Sequence, residues 1–229
     1  MFGERKANSL ELSRAAGLLA MRGRAPRNLQ CHPRLDLLLM HRPAAPLRPR
    51  MPRHTDHLRA DHALVRRALA ALAAIGQYSV VGGNLPAEDT AELLQFLREF
   101  LLTVHFRKES DHVWPALVMR GDDFCAGKVG DLLRLQTEVT DLVHALMLLW
   151  EPLGDLSAAE REAFHGTIEE LTSRVLHMQE IEERWLLPAT DAAVPHDDQI
   201  DWSAAFQSLD QRHDDWVASV ERLSSRWLD

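Results

Sequence analysis

His105 and Glu109 stand four residues apart in a stretch that reads as helix, so a ring nitrogen and a carboxylate oxygen project the same way from adjacent turns. Donors of these two kinds suit iron, manganese or zinc, and the oxygen is able to bridge two ions. Three more predicted helices repeat the theme. His62 falls on an apolar stripe, His144 lies beside one, and His177 is followed five residues later by Glu182. Five residues span about 140° on an ideal wheel, a looser pairing that flanks one point from two sides of a helix. Glu180, three after His177, competes with Glu182 for the same role. Read singly, each histidine is an ordinary surface or hydrogen-bonded core residue. Four of them on successive helices argue for a metal site.

Glu109 and Glu182 both fall at core-facing positions. A carboxylate there must be paired or neutralised, because a stranded charge costs several kcal/mol. No Lys or Arg lies one turn away on the same face so as to neutralise both, whereas a pair of divalent or trivalent ions does. The candidate metal ligands are therefore His62, His105, Glu109, His144, His177 and Glu182. His112 is expected behind them, and His54, His57, His165 and His213 on the surface. Trp114, Trp150 and Trp185 are expected as core and helix-end anchors.

The elements that must position these residues follow from periodicity. Leu58, His62, Val65, Leu69 and Leu72 recur at steps of four and three after a cap at Thr55 or Asp56. Pro86 with Glu88 and Asp89 opens a second helix, which Pro115 closes or kinks. Gly121 to Gly130 reads as a loop, and a third helix runs from about Asp131 to Trp150. Ser157 and Glu160 form a capping box for a fourth, which Pro188 ends. A fifth amphipathic segment spans about Asp201 to Trp227. The short run Tyr78–Val81 is too brief to count as a strand.

The 229 residues carry a net charge of −8 that is unevenly spread. Residues 1–50 hold ten Lys/Arg against three Asp/Glu, or +7, while 51–229 stand at −15. Five prolines punctuate the basic stretch, so it reads as a disordered leader. The acidic body argues against nucleic acid as a partner. No apolar run suffices to span a membrane, and Cys31 and Cys125 form neither a CxxC pair nor a disulfide framework. A reducing cytoplasm is the expected setting.

From His57 to Pro188 the chain resembles the hemerythrin-like, or HHE cation-binding, domain. The resemblance rests on Asp61-His62, on His105-Phe-Arg-Lys-Glu109 with Val113-Trp114-Pro115 behind it, on Val143-His144, and on His177 to Glu182 closing at Leu186-Leu187-Pro188. Six residues separate Glu109 from Pro115 and Glu182 from Pro188, an internal echo that favours Glu182 over Glu180. Thr140 stands where the family's third helix has the first histidine of a pair. The resemblance implies an all-α fold, an antiparallel up-down four-helix bundle over 51–192, with a helical extension over 193–229 behind the leader of 1–50. It also implies a non-haem di-iron site with bridging carboxylates. The histidine-rich donor set points to reversible binding of O2, NO or peroxide by a carrier, store or sensor rather than to an enzyme. A di-iron peroxidase or catalase-like scavenger and a metal-free helical interaction module are the alternatives.

Overall fold

Proline and capping chemistry decide where the helices begin and, unexpectedly, where they widen rather than stop. The computed structural model describes residues 53–120, 123–150 and 156–229, and the expected leader over 1–50 lies outside them. Helix α1 spans His54–Val80, with Asp56 accepting the Arg53 backbone N–H at 2.8 Å. Past its end Gly82 takes a φ of 103°, a conformation open to glycine and costly to other residues. Helix α2 begins at Ala87–Phe96 and continues without a break through Leu97–His105, Phe106–Lys108, Glu109–Val113 and Trp114–Arg120.

Helix α3 spans Asp123–Trp150, so the loop expected over Gly121–Gly130 is replaced by helix from Asp123 on. Helix α4 runs Ala158–Ile181, Glu182–Leu186 and Leu187–Ala193, and its capping box forms: Ser157 Oγ accepts the Glu160 N–H while Glu160 accepts the Ser157 N–H. The amphipathic stretch expected as one segment is two helices, α5 (His196–Leu209) and α6 (His213–Leu228). No strand occurs among the described residues, and no helix there is long and apolar enough to cross a membrane.

Neither Pro115 nor Pro188 ends its helix. The segments Glu109–Val113 and Glu182–Leu186 are π-type, wider turns with i to i+5 bonding. A proline ring clashes with the carbonyl four residues before it and supplies no N–H. Widening the preceding turn moves those carbonyls onto other donors and lets the helix run on. The six-residue echo in the sequence therefore marks two widened turns, each starting at a glutamate.

Helices α1 and α4 run antiparallel: Arg53 meets Asp191 at 3.0 Å at one end, and Arg66 meets Glu183 at 2.9 Å further along. A Cβ on Gly76 would stand 3.0 Å from both Ile168 Cδ1 and His165 Nδ1, so this residue permits the close approach. Helix α6 lies along α2 through a ladder of polar contacts. Arg226 and Trp227 hold Asp89, Arg222 and Ser219 hold Glu92, and Arg212 holds Glu99. Phe206, Trp216, Val220 and Leu223 of the last two helices are buried in the same apolar core as Leu58, Leu97, Val139 and Val175. Trp114 is buried as expected, but Trp185 is 45% exposed and anchors no core.

Candidate metal centre

Four of the six candidate ligands meet. One ligand atom from each of His62, His105, Glu109 and Glu182 lies within 4.8 Å of the others, and all four side chains are fully buried. His62 is supplied by the inward stripe of α1. His105 and Glu109 come from α2, where His105 ends one widened turn and Glu109 begins the next. Glu182 opens the widened turn of α4. Turns of this kind are rare and concentrate at functional sites.

The hydrogen bonds fix which atoms face inward. His62 Nδ1 lies 3.0 Å from Glu183 Oε1, and Arg66 donates to the same oxygen at 2.9 Å. His105 Nδ1 lies 3.2 Å from Asp61 Oδ2. With Nδ1 engaged by a carboxylate, each ring presents Nε2 to the interior, the arrangement that sets the tautomer of metal-binding histidines. Inside, His62 Nε2 stands 3.0 Å from Glu182 Oε2, and His105 Nε2 stands 3.6 Å from Glu109 Oε1. Apart from these contacts with one another, neither nitrogen has a hydrogen-bond partner, and neither do Glu109 Oε1 and both Glu182 oxygens. Buried polar atoms without partners are costly, and here five of them converge. Only Glu109 Oε2 is satisfied, by Gln136 Nε2 of α3 at 2.8 Å.

The electrostatics agree. Burial, then the neighbouring Glu182 charge, raises the Glu109 carboxyl well above its usual range, against the opposing pull of His105. Burial pushes the Glu182 carboxyl up to about 8. Burial likewise lowers His62, which Glu183 and Asp61 only partly offset. Two buried acids that resist ionisation, beside an imidazole of His62 that resists protonation, are what a cation would relieve. The donor set fits a metal ion of the iron, manganese or zinc type.

The other two candidate ligands do not join. His144 is exposed: Val143 and Leu146 carry the buried face of α3, and His144 is turned about 100° from Val143. His177 is exposed as well. The stretch from His177 to Ile181 is regular α-helix, so five residues rotate it away from Glu182 and leave Met178 buried instead. It lines a surface groove of about 490 Å³ with Arg174, Glu180, Arg184 and Trp185. Glu180 is exposed and pairs with Arg184 at 3.8 Å. Thr140 donates to the Gln136 carbonyl at 2.7 Å.

Several residues around the centre stand elsewhere than their spacing implies. His54, expected on the surface, is fully buried and meets Trp202 edge-on with ring centroids 5.0 Å apart. His112 packs on Trp202 and Phe206 rather than behind the ligands. Asp61, Gln136 and Glu183 were not singled out as partners of the site. Asp61 and Glu183 each sit next to a candidate ligand, and that adjacency is the signal the sequence offers for them. The family model of the hemerythrin HHE cation binding domain matches residues 53–190. A search of curated proteins and a search of solved structures each found no match.

Proposed function

The chain belongs to the hemerythrin HHE cation-binding family, and from that premise we propose that it is a non-haem iron protein that takes up O2, NO or peroxide reversibly, as carrier, store or sensor. The observation that carries the reading is the convergence of five unpartnered buried atoms of His62, His105, Glu109 and Glu182. Iron held there would offer a small diatomic or peroxide ligand a coordination position screened from bulk water. In this reading the long helices form an antiparallel up-and-down bundle, with one donor each from α1 and α4 and two from α2. Asp61 and Glu183 hold the two imidazoles in the donor tautomer. Gln136 fixes the rotation of the Glu109 carboxylate. The cysteine pattern supports a reducing cytoplasm as its setting.

The donors favour one ion over the two implied by the resemblance. Donors on opposite sides of a transition-metal ion stand about 4 Å apart, close to the spread of this cluster. A second ion needs donors from α3 and α4. Among the described residues His144 and His177 face solvent there, and the polar side chain α3 sends to the cluster is the amide of Gln136. Iron analysis of protein loaded anaerobically with Fe(II) tests both points. One iron per chain, with new visible absorption on exposure to air or NO, is the expected result. Two irons per chain would restore the di-iron centre. No spectral response to either gas would remove the proposed function.

A further inference from the structure

Lys108 has no solvent exposure, and its ammonium pairs with two aspartates rather than with the two glutamates of the centre. Its Nζ lies 2.9 Å from Asp61 Oδ2 and 2.6 and 2.8 Å from the two oxygens of Asp210. Asp61 Oδ2 is the same atom that faces His105 Nδ1. An unbroken chain of charged contacts thus runs from Asp210 through Lys108 and Asp61 to a metal-facing imidazole. Asp210 stands at the turn between α5 and α6, beyond the stretch matched by the family model. Phe206 of α5 covers the same ammonium, its ring centre 5.7 Å from Nζ, and Phe100 of α2 lies at 5.9 Å.

We propose that Asp210, with Lys108, is a positioning element of the metal centre, and that the C-terminal helix pair is thereby energetically coupled to metal occupancy. The reasoning is one of charge sharing. A buried ammonium requires compensation, and two carboxylates divide that task. With Asp210 in place, Asp61 retains acceptor strength for His105 Nδ1. Without it, Asp61 alone must neutralise Lys108 and is drawn from the imidazole, whose Nε2 becomes a poorer and less well aimed donor. Outer partners of metal ligands typically change affinity by about 10–100-fold. Asp210 acts one contact further out, so the lower end of that range applies. Coupling is reciprocal, so a docked helix pair that tightens metal binding is itself held more tightly when metal is present.

This inference rests on the metal reading above, and the experiment separates the two. Co(II) serves as probe, because its visible spectrum reports coordination geometry. Full-length wild type, Asp210→Asn and the double variant Lys108→Met/Asp210→Asn are titrated with Co(II), with helicity checked by circular dichroism. Asp210→Asn is expected to bind about tenfold more weakly with an altered cobalt spectrum. The double variant, which leaves no unshared ammonium, is expected to recover most of that loss. Amide exchange over 196–228 in wild type is expected to slow on cobalt loading. If Asp210→Asn does not fold, the double variant and the exchange measurement decide alone. Wild-type affinity and spectrum in Asp210→Asn, a double variant no tighter than the single, or exchange indifferent to cobalt would each overturn the coupling while leaving the metal site intact. Wild type that takes up no Co(II) would overturn both.

Discussion

Near neutral pH the metal-free centre holds protons: burial pushes the Glu182 carboxyl up to about 8, and burial with the Glu182 charge raises the Glu109 carboxyl well above its usual range. An entering cation must displace them. Affinity should therefore rise as pH increases from 6 toward 8, with proton release measurable by calorimetry in buffers of different ionisation enthalpy. An affinity flat across that range would contradict the protonated starting state. The histidines separate equally sharply. His62→Ala or His105→Ala should cut metal affinity at least 100-fold, whereas His144→Ala and His177→Ala should leave metal content unchanged, as measured by elemental analysis. The four residues that meet were legible in the sequence because a carboxylate at a core position demands an explanation. His144 and His177 misled because nearness to a stripe is not membership of it: one residue turns a side chain by about 100°. Lys108 was illegible because its meaning depends on Asp210, a partner 102 positions later.

At the level of elements, α6 is held to α2 mainly by acids that donors keep ionised. Partial burial works against the Asp89 charge, but Trp227 and Arg226 more than compensate and depress its pKa. Burial likewise opposes the Glu92 charge, and Arg222 and Ser219 overcome it. Groups depressed in the folded state contribute stability above their unfolded values, and that stability is lost as pH falls through the folded ones. Helix α6 should therefore loosen below about pH 4, seen as lower amide protection factors over 213–228 at pH 3 than at pH 6, each taken relative to the unstructured rate at that pH. Equal protection at both would show that its apolar face suffices. The stripes, the Ser157–Glu160 box and the cap at Asp56 were readable because they are local. The ends of α2 and α4 were not, because Pro188 reads as a stop and Pro115 as a stop or a kink, and a widened turn absorbs each.

For the molecule as a whole, an all-helical fold was legible from period alone, but the standing of the extension over 193–229 was not. Its amphipathic pattern looked like an appendage, whereas Phe206, Val220 and Leu223 have no solvent exposure and complete the core. Phe206→Ala should cost about 3–5 kcal/mol in denaturant melts of the full chain. A loss under about 1 kcal/mol would mean the extension rests on the bundle without sharing its core. The widened turn over Leu97–His105 has a last implication. A π-type turn holds one residue more than a regular helix of the same axial length, so it is spare chain. There the polypeptide can be shortened by one position with both flanks still in phase. A deletion anywhere in the regular stretches would swing every downstream donor through a 100° step, away from the ion.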